Sequence, residues 1–374
     1  MIFLDYNATT PIAPEVAAGI NQYISEEFGN PSSAYALGQR ARAAVEQARQ
    51  QMAALLGCQP REIVFLSCAS EANNTVLKGV AHRLAGQGNH IITTQIEHPA
   101  VLNPCLFLME QGFEVTFVPV DRRGLVDPDD VRRALTSRTI LISVMHANNE
   151  TGAIQPLAEI GALARKAGVW CHTDAAQSVG KIPVRVDDLM VDFLTLAGHK
   201  FYAPKGIGAL YVRTGCEFTP LLHGGGQEGG RRSGTENVIF AVALGIASRV
   251  AQNCLGQDQI HLRHRRDRLH QRLQEEFPGL VLNGPEAERL PNTLNVSFPG
   301  LSGAEILSGL PELAASTGAA CHGPEVKLSH VLAAMGVSPE VGRGALRLSV
   351  GRYTTEAEVD RAATLIGRRL RELR

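Results

Sequence analysis

Polar residues with chemical capability stand just after several apolar runs of the chain: Cys68-Ala69-Ser70-Glu71, Glu97-His98, His146 to Glu150, Asp174 to Gln177 and Gly198-His199-Lys200. In an open α/β sheet a ligand lies beyond the carboxyl ends of the strands, so chemistry is sought there first. Lys200 follows the run Phe193 to Leu196 and precedes Phe201-Tyr202-Ala203-Pro204-Lys205-Gly206. A lysine so placed could form a Schiff base with a carbonyl, and on that segment alone it could equally be an ordinary surface lysine. Asp174 shifts the balance. It follows the run Val169 to His172, and a carboxylate there can keep the pyridine nitrogen of pyridoxal 5′-phosphate (PLP) protonated, which makes the ring an electron sink. An aspartate that merely caps a helix would not account for a lysine at the equivalent end of a neighbouring strand.

The same cofactor asks for three further parts. Gln177 could donate to the phenolic oxygen of the ring. Ser70 and the amides from Ala69 to Glu71 open a helix, and a helix N-terminus is a ready anion site. His98 could lie over the ring face. Taken singly these are weak signals, since a serine at a helix start is usually a cap and a histidine before proline is often structural.

The elements that must carry these residues alternate. Gln39 to Leu56 has a helical period, Ile63 to Leu66 reads as a strand, and a helix opens at about Ser70. Strands follow at Ile91 to Thr93, Val115 to Val118, Ile140 to Val144, Val169 to His172, Phe193 to Leu196 and Ala209 to Val212, with helices between most of them. The alternation predicts an α/β fold with a mostly parallel sheet covered on both faces. A long helix is expected from Asn237 to about Phe277, stopped by Pro278-Gly279. Beyond it come a strand (Thr293 to Phe298), a helix near Ala304 to Leu310, a Gly- and Ala-rich loop carrying Cys321, a strand (Leu346 to Val350) and a helix from Thr355. Two domains are expected: a large one over residues 13–255, and a smaller α+β one over 1–12 and 256–374.

Composition narrows the function classes. With 44% hydrophobic and 20% charged residues the chain is an ordinary globular one, and its 374 residues suit two cores. Its 36 Lys plus Arg nearly cancel 37 Asp plus Glu, so no overall field draws in nucleic acid or an anionic membrane. The basic run His261 to His270 reads as a solvated helix face. No stretch reaches ~18 uninterrupted apolar residues, and the first residues lack the pattern of a signal peptide, so a cytosolic protein is expected. Seven cysteines are scattered without paired CxxC spacing, which argues against a zinc or cluster site and fits a reducing compartment.

Nine segments now fall into a known pattern: LDYNATTP, FGNPSS, IEHPAV, MHANNETG, TDAAQSVGK, GHKFYAPKG, HGGGQEGGRRSGTEN, STGAACHG and LRLSVGRYTTEAEVD. In these, from Phe3 almost to the C-terminus, the chain resembles the NifS-like cysteine desulfurases of the class V aminotransferase group, with the selenocysteine lyases close by. The resemblance implies the type I PLP-dependent transferase fold, with a seven-stranded, mostly parallel sheet in the large domain. It implies Lys200 as the Schiff-base lysine, Asp174 as partner of the pyridine nitrogen, Gln177 as partner of the phenolic oxygen and His98 as the stacking and catalytic histidine. Asn149 would be a further cofactor or substrate contact. Ala69, Ser70 and His199 would hold the phosphate, joined by Thr235 from a second subunit, which implies a homodimer. Arg347 would grip the substrate carboxylate, a task suited to its two-pronged geometry, and Cys321 would be the nucleophile.

Three departures stand out. Ala197 replaces a usual serine of the phosphate cup, Cys68 replaces a usual glycine, and the chain ends at Arg374 without the extended tail that some members use to dock a scaffold protein. Fewer or rearranged phosphate contacts are expected. The implied reaction removes sulfur from L-cysteine, leaving L-alanine and a persulfide on Cys321 for iron–sulfur cluster or thio-cofactor synthesis through a sulfur-acceptor protein. A free thiol has a pKa of about 8.5, so Cys321 would need local help or a substrate proton transfer to be a thiolate. Selenocysteine as substrate, another PLP-dependent aminotransferase or β-lyase, and a non-catalytic module on the same fold remain the alternatives. Intact Lys200, Asp174 and Arg347 speak against the last.

Overall fold

The computed structural model describes residues 1–317, 319–320 and 327–373. Seven strands form the large sheet in the order Ile63–Leu66, Gly208–Val212, Phe193–Ala197, Trp170–Asp174, Thr139–Ser143, His90–Thr94 and Glu114–Val118. Gly208–Val212 runs antiparallel to both of its neighbours and the other pairings are parallel. The sheet is therefore mostly parallel, as expected.

Alternate residues along each strand enter different cores, because successive side chains leave opposite faces of the pleat. Ile63, Phe65, Leu194, Leu196 and Tyr211 pack on one face with Ala48, Met52, Ile160 and Ala247. Val64, Leu66, Phe193 and Leu210 pack on the other with Val76, Val80, Val101 and Leu108. Each fully buried aliphatic side chain contributes about 2 kcal/mol. Helix Ala36–Leu56 turns its small residues Ala41, Ala44 and Ala48 inward and ends at Gly57, whose φ of +72° lies in the left-handed region that glycine adopts without steric cost. Gly245 lets the long helix approach it closely, since a Cβ there would lie 2.5 Å from the Ala48 Cα.

That long helix, Val238–Glu276, is capped by the Asn237 side chain and stops before Phe277. Its first part packs in the large core and its last part, through Leu262, Leu269 and Leu273, in a second core with Leu294, Val296, Leu346, Val359 and Ile366. There an antiparallel sheet runs in the order Ser316–Thr317, Ala345–Ser349, Thr293–Ser297 and Val281–Leu282. Ile2–Phe3 pairs with Leu313–Ala314 and joins this second core. The basic run His261–His270 is not a freely solvated face. Arg268 bonds Asp360 at 2.7 Å, Arg265 bonds Glu356 at 2.6 Å, and Arg266 is buried and donates to the Leu290 carbonyl. Helix Glu356–Glu372 packs alongside and supplies those carboxylates.

Candidate active site

The carboxyl ends of the parallel strands open onto one cavity of about 360 Å³. Trp170–Asp174 and Phe193–Ala197 are hydrogen-bonded neighbours. Their ends therefore bring Asp174 and Lys200 to the same edge. Asp174 is the last residue of its strand, two residues later than the apolar run suggested, and Lys200 closes a 3₁₀ turn, Gly198–Lys200. Ala69 and Ser70 open helix Ala69–Leu84, whose first free N–H groups face no intrahelical partner. Cys68 caps that helix, its Sγ accepting from the Glu71 N–H at 3.4 Å. This explains how a cysteine serves where the related pattern has glycine: the thiol takes the capping role.

Of the residues singled out from sequence, Ala69, Ser70, His98, Asn149, Asp174, Gln177, His199, Lys200 and Arg347 all line the cavity, as do Cys68 and Ala197. Thr235 does not. It lines a separate pocket with Phe65, Ser67, Gly206 and Asn237. Cys321 lies outside the described residues.

Lys200 Nζ donates to the carbonyls of Asn7 at 2.5 Å and Ala8 at 2.8 Å. Burial pushes its ammonium down to about 8, and the nearby Arg347 charge works in the same direction. Asp174 accepts from the Asn73 side-chain amide at 2.7 Å and from the Ala176 N–H at 2.9 Å, which fixes its carboxylate in place. The Gln177 amide donates to the Asn7 carbonyl at 3.0 Å and accepts from Lys181 Nζ at 2.8 Å. His98 caps helix Pro99–Glu110, Nδ1 accepting the Ala100 N–H at 3.0 Å. Its neutral ring thus carries the proton on Nε2. His199 sits 3.3 Å from the Thr9 hydroxyl and is driven to about 4 by burial and by Lys200, Lys205 and Lys181, so it is neutral at pH 7.

Arg347 reaches in from the smaller sheet. It donates to Asp5 at 2.8 Å, Ser316 at 3.0 Å and the Asn149 carbonyl at 3.2 Å. Behind the cavity wall the buried Glu97 carboxyl accepts from the Met145 N–H and the Thr94 hydroxyl, and burial raises it to about 8. It stays protonated at neutral pH and adds no negative charge to the wall.

Sequence reading missed Asp5, Asn7, Asn73 and Lys181. Asn7 was visible only as part of the LDYNATTP segment. Its contacts with Lys200 and Thr293 span 193 and 286 residues, and no local pattern reports partners so distant.

The donor set suits a phosphorylated pyridine aldehyde. An amine, a carboxylate, an amide and a helix N-terminus stand round one cavity, and two buried polar atoms on its lining residues, Asn73 Oδ1 and Arg347 Nε, have no hydrogen-bond partner among the described residues. Buried polar groups ordinarily have partners, so these two leave hydrogen-bonding capacity beside the cavity.

Known proteins resemble this chain over nearly its whole length. The aminotransferase class-V family matches residues 2–362. Cysteine desulfurase IscS of Dictyoglomus turgidum is 44% identical, covering 100% of this chain and 95% of the relative, and that of Methanosarcina thermophila is 45% identical, covering 100% and 93%. Among solved structures, a NifS-like protein superposes with a TM-score of 0.94 at 39% identity over the whole of both chains. SspA in complex with cysteine gives 0.83 at 37% identity over 95% of this chain and 100% of the other.

Proposed function

The chain belongs to the class-V aminotransferase family, among its cysteine desulfurases, and on that premise we propose that it uses bound PLP to take sulfur from L-cysteine, leaving L-alanine and a persulfide on Cys321. The observation that carries this reading is the meeting of Lys200 and Asp174 at neighbouring strand ends in one cavity, with Arg347 entering from the smaller sheet. Bound PLP would supply a protonated ring able to accept the electron pair left when the substrate loses its α proton.

The protein's own groups have separable tasks. Lys200 would hold the cofactor aldehyde and, once displaced by the substrate amine, take the α proton. An amine near pKa 8 is partly neutral at physiological pH and can serve as that base. Asp174 would keep the ring nitrogen protonated and Gln177 would donate to the ring oxygen. The amides at Ala69 and Ser70, with His199, would hold the phosphate. His98 would cover the ring. Arg347 would pair with the substrate carboxylate, with Asn149 beside it, and its place on the cavity lining supports that reading. The Cys321 thiolate would then attack the substrate sulfur. A sulfur–sulfur bond forms as the carbon–sulfur bond breaks, and the electron pair left on carbon is protonated to give alanine.

Thr235 lies outside the cavity of its own chain, which supports the reading that it serves the phosphate of a second copy's site and that the active unit is a two-fold dimer. A sulfur-acceptor protein would then collect the persulfide. The similar chain in complex with cysteine supports that substrate. The test is to incubate the PLP-loaded protein with L-cysteine and, separately, with selenocysteine. Alanine and a protein persulfide from cysteine are expected. Alanine from selenocysteine alone would make the protein a selenocysteine lyase. Cys321→Ala should keep its visible PLP absorption, lose alanine production from cysteine and retain some from selenocysteine, because selenide leaves without a nucleophile more readily. Wild-type sulfur release from that variant would remove Cys321 from the mechanism.

A further inference from the structure

Lys181 is a second buried lysine beside the cavity, and nothing above gives it a task. It lies four residues after Gln177 in a wound turn that follows Asp174. Gly180 makes the turn possible: its φ is +78°, and a Cβ there would lie 2.8 Å from the Phe201 Cβ, next to Lys200. The Lys181 side chain is directed into the interior, where it is 6% exposed. Among the described residues no carboxylate lies within 4.0 Å of its nitrogen, and its hydrogen-bond partner is Gln177 Oε1 at 2.8 Å. A buried ammonium without a carboxylate is costly, and its surroundings push its pKa well down, through burial and then the Lys200 and Arg347 charges. Such an arrangement persists when the group does something its hydrophobic equivalent could not.

The partner shows what that is. A carboxamide has two ends of nearly equal shape, told apart only by hydrogen bonding. The Asn7 carbonyl accepts from Gln177 Nε2 at 3.0 Å, and the same carbonyl accepts from Lys200. The Asn7 carbonyl can only accept, so the nitrogen end of the carboxamide must face it, and Lys181 Nζ, charged or neutral, supplies the donor that the oxygen end then needs. We propose that Lys181 is a positioning residue, which fixes the Gln177 carboxamide with its oxygen turned inward and its N–H groups turned to Asn7 and the cavity. The inference rests on the PLP reading above, in which Gln177 donates to the ring oxygen.

Lys181→Met keeps length and apolar volume while removing the donor. Apoprotein of this variant should unfold at the wild-type temperature or above it, because a desolvated amine without an ionic partner is gone. PLP should bind about fivefold more weakly, the size of one neutral hydrogen bond, and the visible absorption maximum should shift. In a Gln177→Ala background the same substitution should change neither quantity further, because it acts through Gln177. Wild-type PLP affinity and spectrum in Lys181→Met, or effects that add to those of Gln177→Ala, would overturn the inference alone. Wild-type protein that takes up no PLP would overturn the functional reading and this inference with it.

Discussion

Two clusters of buried charge lie within this molecule, and they are built on opposite plans. Beside the edge strand Ile63–Leu66, Arg49 meets Glu228 through two bonds of 2.7 and 2.9 Å, Glu228 also accepts the Phe65 N–H at 3.0 Å, and Arg49 lies 4.9 Å over the Phe65 ring. One buried cation faces one buried anion, and Arg49 Nε also reaches the exposed Glu46 at 3.2 Å. The pair holds Glu228 at a φ of +52°, which costs a residue with a side chain about 1–3 kcal/mol. In the cavity, Lys200, Lys181 and Arg347 share the surroundings with Asp174 and Asp5, and Arg347 with Asp5 is the one pair in salt-bridge contact among them. Three basic groups share two carboxylates, and both lysines are pushed below their ordinary pKa. The compensated cluster is complete without a ligand, whereas the cavity gains from anionic atoms, as a phosphate and a substrate carboxylate would supply.

The comparison is sharpened most by Lys200→Ala. Without the amine, the protein should lose the covalently bound yellow cofactor and its turnover should fall by at least ~10³-fold, since base catalysis alone contributes about 10²–10⁴-fold. Absorption of the purified protein and alanine release measure both. Wild-type turnover would remove Lys200 from the mechanism.

Arg49→Ala tests the other cluster. It strands the Glu228 carboxylate, 3% exposed, and should cost about 3–5 kcal/mol in urea unfolding of the apoprotein. Replacing both partners together, Arg49→Met with Glu228→Gln, should cost less than Arg49→Ala alone. A loss under about 1 kcal/mol for Arg49→Ala would mean that the pair is not the compensated unit its bonds suggest.

A smaller effect follows from pH. Lys200 titrates near 8 in the folded apoprotein and near its ordinary ~10.4 when unfolded. Between those values the unfolded chain binds more protons, so apoprotein stability rises with pH across that window. Lys200→Met removes the titration. Its stability advantage over wild type should shrink between pH 7.5 and pH 10, and taking the difference cancels Glu97, which titrates in an overlapping range. A constant difference would show that Lys200 is not desolvated in the apoprotein.

How much of this was legible beforehand depended on distance along the chain. Strand Ile63–Leu66 was readable to the residue, because an apolar run bounded by polar residues is a local signal. The run Val169 to His172 misplaced its strand because Thr173 and Asp174 are polar yet buried, Asp174 being held by Asn73 from 101 residues away. Lys200, Asp174 and Gln177 could be found because strand ends are where α/β proteins put chemistry. Asn7 and Asp5 could not, since their partners come from the opposite end of the chain, 342 residues away for Asp5 and Arg347. The compensated pair Arg49–Glu228 was invisible for the same reason, at 179 residues.

The finest test concerns Ala197, the last residue of strand Phe193–Ala197 and part of the cavity wall, three residues before Lys200. Ala197→Ser adds a hydroxyl where the related pattern has one. In the apoprotein that hydroxyl is placed on a nearly buried Cβ, so the apoprotein should unfold slightly more easily. With cofactor bound the hydroxyl can donate to the phosphate, and PLP release should slow by about fivefold, equivalent to ~1 kcal/mol. The two changes have opposite signs, which separates a phosphate contact from a general change in stability. If release stays at the wild-type rate while the apoprotein is weakened, the helix N-terminus at Ala69 and Ser70 already satisfies the phosphate. The surplus of basic groups in the cavity would then be directed at the substrate carboxylate alone.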